Sequence, residues 1–169
     1  KQAALLLGVA GLSFGLLIPF LGFYWDDWPV IFMAKAYGTD MYPAFYAFDR
    51  PFSAWTYILT VPVLGVAPWR WHVFSLLLRW ATALACFIAL RGLWPERRDV
   101  ARWTSLLFLI YPAFFQQSIS VSYSQHFITY LFFMTSLALM IWAIRNPERF
   151  WPFKILAVLL TPLHMLTME

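Results

Sequence analysis

Charge is scarce in this chain. Only 12% of its 169 residues are Asp, Glu, Lys or Arg, against about 25% in water-soluble domains. A single cysteine, Cys86, excludes a disulfide scaffold. No Gly-rich phosphate loop, paired CxxC or HExxH occurs, so nucleotide hydrolysis and zinc proteolysis have no support. There is also no matched pair of Gly- or Pro-broken spans of the kind that marks an inverted-repeat transporter, although Pro112 is placed to kink one span. What is abundant is apolar surface: 62% hydrophobic and 21% aromatic residues, including 17 Phe, 10 Trp and 8 Tyr. That excess rules out intrinsic disorder and exceeds what one soluble core of this size can hide. The formal charge of +4 sits in short basic blocks between apolar runs. Such blocks are topology signals rather than a nucleic-acid surface.

The pattern predicts an all-α, polytopic transmembrane bundle forming a single module over 1–169. About five spans are expected, at 3–23, 71–94, 103–118, 127–144 and 153–169, with a long outer loop at 24–70. The first run would form a helix of roughly 31 Å at about 1.5 Å per residue, enough for the hydrocarbon core. It is longer than the apolar region of a signal peptide and lacks an A-x-A-like site, so it reads as a retained span.

The segment 52–67 is ambiguous, because Pro62 interrupts a run short for a crossing. Charge resolves it. If the segment does not cross, Arg91, Arg97, Arg98, Arg102, Arg145, Arg149 and Lys154 share a side with Lys1, which is then cytoplasmic. The outer face receives Asp26, Asp27, Asp40, Asp49 and Glu169. Two interfacial helices are expected in the outer loop, one near 28–37 started by Asp27 as N-cap with Pro29 in its first turn, the other over 52–67.

Asp26 and Asp27 follow the first span directly, at the depth of a lipid headgroup. Adjacent acids can divide labour, one acting as a base while the other orients it or holds a metal; a solvated loop with Asp27 capping a helix is the plainer account. Arg79 lies inside the second full span, where an arginine costs about 2.5 to 3.5 kcal/mol on insertion scales. It shares one helical face with His72, Ser75, Thr82 and Cys86. Snorkelling, a partner elsewhere and a lipid phosphate all remain open for it. A polar segment with Gln116, Gln117, Tyr123, Ser124, Gln125 and His126 forms the second outer loop, suited to hydrogen-bonding a sugar or to a generic interface. His164 and Glu169 read as structural.

These features resemble the GT-C superfamily of integral membrane glycosyltransferases, such as protein mannosyltransferases and aminoarabinose transferases. The shared elements are a first span ending in an acidic motif, here Asp26 and Asp27, and a long outer loop with interfacial helices. A proline junction follows, here Asp49, Arg50, Pro51, then a span opening at Trp71 and His72, an Arg-rich inner turn and a Tyr111-Pro112 segment. The resemblance implies sugar transfer from a polyprenyl-phosphate donor to an acceptor hydroxyl, with inversion, at the outer face of the cytoplasmic membrane.

By that resemblance Asp26 or Asp27 is the general base, and Arg50, with Arg79 or Lys35, stabilises the leaving lipid phosphate. Asp49, Tyr123, Gln125 and His126 are candidate substrate contacts. A divalent metal, Mg or Mn, on Asp26 or Asp27 is compatible with this chemistry without being required. Relatives often place another acid or Arg where this chain has Ser122 to His126. They also carry more spans, so the chain reads as an N-terminal module that need not be active alone. The alternative is a non-catalytic lipid-binding or transport subunit, or an assembly partner, in which the acids only shape the loop.

Overall fold

In the computed structural model, which describes residues 1–48, 50, 53–111 and 118–167, apolar runs become helices throughout and no strand occurs among the described residues. Asp49, Pro51, Pro112, Gln116, Gln117 and Glu169 lie outside that set. Helix α1 (Gln2–Phe14) continues as a 3-10 helix over Gly15–Phe20. Pro19 has no N–H to return to the Gly15 carbonyl, which explains the change of winding. The long helices are α5 (Pro68–Leu93), after the short α2 (Asp27–Ala36), α3 (Tyr42–Phe45) and α4 (Ala54–Leu64), and α7 (Ser120–Arg145), after α6 (Arg98–Leu109). Helix α8 (Phe150–Thr167) packs back on α7, with Ser136 Oγ donating to Ala157 O at 2.8 Å.

Among the described residues, three helices are long and apolar enough to cross a membrane: Gln2–Phe20, Pro68–Leu93 and Ser120–Arg145. In the apolar window of each of the latter two, only 33% of residues are buried, and large side chains such as Leu12 and Phe20 face outward from α1 and its extension. Helices apolar on their unburied faces call for lipid rather than water around them.

Cross-contacts fix the direction of each helix. Arg102 Nε donates to Gln2 Oε1 at 3.2 Å, Arg145 Nη2 reaches Leu93 O at 3.5 Å, and Arg91 donates to Pro95 O. The start of α1, the α5–α6 turn and the end of α7 therefore lie together at an arginine-rich end. At the opposite end His72 Nε2 donates to Gly22 O at 2.9 Å, and Ser75 Oγ to Ser120 O at 2.7 Å. Helix α4 has both its termini at this second end: Gln125 Nε2 donates to Ser53 O at 3.1 Å, and Trp71 Nε1 to Gly65 O at 2.8 Å. Its 11 residues do not run the length of the bundle.

Some boundaries differ from expectation. Helix α6 begins at Arg98, before the expected 103, and its described part ends at Leu109. Helix α7 begins at Ser120 rather than 127, so the polar residues Ser120 to Gln125 form its first turns. Polarity alone marks those residues as loop, but Ser120, Ser124 and Gln125 are buried, and Gln125 bonds to the start of α4.

Among the described residues two apolar cores result. One joins Leu6 and Ala10 of α1, Ala83 of α5 and Leu109 of α6 within the bundle. The other, built from Val30, Ile31, Tyr42, Tyr57, Trp71 and Val121, fastens the short helices as a cap over the ends of α5 and α7.

Candidate functional site

The turn that leaves the first helix aims its two acids apart. Trp25 adopts φ 43°, an uncommon left-handed conformation for a bulky residue, while Asp27 N–H bonds Tyr24 O at 3.0 Å. Asp27 is fully buried, at 0% exposure. Its Oδ2 accepts the N–H of Ser120 at 2.9 Å, and its Oδ1 accepts those of Val121 and Ser122 at 2.9 and 3.0 Å. Those are the first donors of α7, which have no partner within their own helix. Asp27 thus caps α7 rather than α2, which it was expected to start; no side-chain cap bond forms on α2. Burial pushes the Asp27 carboxyl up from 3.8 to about 6, against the backbone donors of Ser122, Val121, Ser120 and Tyr24, which pull it down.

Asp26 is exposed, and its backbone carbonyl accepts Ser122 Oγ at 3.0 Å. It lines a cavity of about 320 Å³ together with Arg50, Tyr57, Tyr123, Gln125 and His126. Arg50 is held by its N–H to Tyr46 O at 3.0 Å, and its own carbonyl receives Ser53 Oγ at 2.8 Å. Gln125 is fixed by donation to Ser53 O and to Thr56 Oγ1 at 2.9 Å, and the rings of Tyr123 and His126 lie 4.7 Å apart.

Tyr123 and His126 are a shared wall. On their other side lies a groove of about 730 Å³, lined by Leu107, Phe108, Tyr111 and Tyr130 of the α6–α7 face. A cavity with a cation and an acid beside a largely apolar groove suits an amphiphile with a polar head and a greasy tail.

The other residues singled out in the sequence fall elsewhere. Arg79 is 4% exposed, with its guanidinium carbon 3.9 Å from the Phe14 ring centroid and 4.8 Å from that of Phe127. It lines a separate cavity of about 20 Å³ that touches Ser120 and Tyr123. Aromatic faces supply part of what water would give the buried cation. Its neighbours on the polar stripe are paired structurally, Thr82 Oγ1 with Leu78 O and Ser75 with Ser120. Lys35 is exposed in the last turn of α2 and does not line the Asp26 cavity. His164 stacks on Phe133 at 5.3 Å and bonds Thr161 O at 2.6 Å. Tyr46 and Tyr57, which line the Asp26 cavity, carry no local mark in the sequence.

The residues do not fit a divalent ion held by the acidic pair. Both oxygens of Asp27 are engaged by backbone donors, and no group of three His, Cys, Asp or Glu side chains converges among the described residues. The chain matches no protein family, curated protein or solved structure.

Proposed function

We propose that this chain is the donor-binding part of a multi-pass glycosyltransferase that moves a sugar from a polyprenyl-phosphate carrier to an acceptor hydroxyl. The observation that carries this reading is the junction of the Asp26–Arg50 cavity with the apolar α6–α7 groove through Tyr123 and His126. The headgroup occupies the cavity and the first isoprene units the groove. Asp26, the acid that remains accessible, takes the proton of the acceptor hydroxyl. As the acceptor oxygen bonds the anomeric carbon, the bond from that carbon to the phosphate oxygen breaks. The lipid phosphate leaves with the electron pair, stabilised by Arg50. Asp27 holds the α7 end of the site in place and does no chemistry.

In this reading the arginine-rich end faces the cytoplasm, by the positive-inside bias, and the site opens at the outer face of the cytoplasmic membrane. The chain then crosses about five times, α6 and α8 included, while α2 and α4 lie at the interface. The test is transfer from a polyprenyl-phosphate sugar by full-length protein in detergent, comparing Asp26→Asn with wild type at matched folding. Near-complete loss of transfer with donor binding retained is expected. Transfer at the wild-type rate by Asp26→Asn overturns the mechanism. Donor binding without any transfer by the wild type points instead to a lipid-binding subunit.

A further inference from the structure

Among the tyrosines of the cap, one hydroxyl is out of place. The Tyr57 ring lies in a slot between Tyr46, stacked at 5.5 Å and 20°, and Tyr42 at 5.3 Å. Tyr42 meets its own need by donating to Val30 O at 3.0 Å. Tyr57 is 1% exposed, and its hydroxyl approaches the side chains of Tyr46 and Ser122 but meets no described partner in good hydrogen-bond geometry. Leaving a buried hydroxyl unsatisfied costs stability, so such a group calls for a physical reason. Phenylalanine would fill the same slot without that cost. Tyr57 lines the cavity that Arg50, Gln125 and Asp26 also line, and Ser122, next to its hydroxyl, is another of the lining residues.

We propose that the Tyr57 hydroxyl is a ligand donor of this cavity, binding a phosphate oxygen of the carrier together with Arg50. The inference rests on the reading of the cavity as a headgroup site. Burial, with Tyr46 adding to it, pushes the phenol well above its ordinary value of 10, so it stays a neutral donor at physiological pH. A neutral donor beside a cation favours an anion through charge-assisted hydrogen bonds, while Asp26 in the same cavity leaves the acceptor hydroxyl, not the phosphate, as its own partner. Ligand binding then supplies the partner that the fold withholds.

The test is Tyr57→Phe in full-length protein in detergent, titrated with a polyprenyl monophosphate, the matching neutral polyprenol and inorganic phosphate. The variant is expected to bind the lipid phosphate about tenfold or more weakly, to bind the polyprenol unchanged, and to melt no lower than wild type, since it loses an unsatisfied group. Inorganic phosphate is expected to compete weakly, because it lacks the tail that fills the groove; competition as tight as the lipid's makes free phosphate the ligand and overturns the carrier assignment. Unchanged affinity for the lipid phosphate, an equal loss for both lipids, or a lower melting temperature each overturn the role of Tyr57 and leave the headgroup reading standing. Failure of the wild type to bind the lipid phosphate at all overturns both.

Discussion

Asp27 accepts the backbone N–H of Val121 at 2.9 Å across 94 positions of sequence, and through it the turn after the first helix closes the N-terminus of α7. This contact holds together two segments that both line the Asp26 cavity. It also assigns unlike tasks to two neighbouring acids.

Replacing Asp27 with Asn keeps one acceptor oxygen and turns an amide donor toward backbone donors. The expected loss is about 1 to 3 kcal/mol, the range for a lost cap with a buried donor left unmet. Chemical denaturation in detergent measures it, and amide exchange should speed up first at Ser120, Val121 and Ser122. An Asp27→Asn protein as stable as wild type would remove the capping role.

The same carboxyl makes stability depend on pH. Its folded value of about 6 lies above the ordinary 3.8, so the folded state binds the proton more tightly than the unfolded chain. The stability this group contributes is full below pH 4 and is lost as pH rises through 6. The melting temperature of wild type, relative to Asp27→Asn, should therefore fall between pH 4 and pH 7. A flat difference across that window would contradict the raised value.

Trp25 holds φ at 43° in the turn just before exposed Asp26 and buried Asp27. Glycine adopts this conformation freely, whereas a β-branched side chain there is strained by about 1 to 2 kcal/mol. Trp25→Gly should keep the fold and lipid-phosphate binding, and Trp25→Val should lower both, as read by thermal melting and lipid titration.

Near the arginine-rich end, α5 and α7 approach closely at Gly92, where an added Cβ would sit 2.7 Å from Ile141 Cγ2. That methyl belongs to a stiff β-branched side chain, so the helices must part. Gly92→Ala should cost about 1 to 3 kcal/mol by overpacking, and adding Ile141→Val, which keeps the Cγ2 methyl, should restore little of it. Full recovery in the double variant would show that the side chain, not the helix spacing, absorbs the strain.

Much of the architecture is legible in the residue pattern. Apolar length locates α1, α5 and α7, and the 3-and-4 spacing of His72, Ser75, Arg79 and Thr82 marks the face of α5 that meets α1 and α7. The first turns of α7 are misread because Ser120 to Gln125 look like a solvated loop, when in fact Gln125 and Ser124 are buried under the cap. Arg79 illustrates a similar gap: a buried cation is visible from its place in a span, but the rings of Phe14 and Phe127 around it are not. Tyr57 is hidden for the same reason, since nothing local distinguishes a satisfied phenol from an orphaned one.

The sequence by itself determined that the chain is helical, that its long apolar helices suit a membrane, and that two acids stand where the first of them ends. Those properties follow from composition and short-range periodicity, which act within a few turns. Only the tertiary structure decided that Asp27 is sealed against α7 while Asp26 borders a cavity with Arg50 and His126. Adjacent side chains share the same local chemistry. What separates them is the position of a helix end 93 residues away, and that is set by how the whole bundle packs.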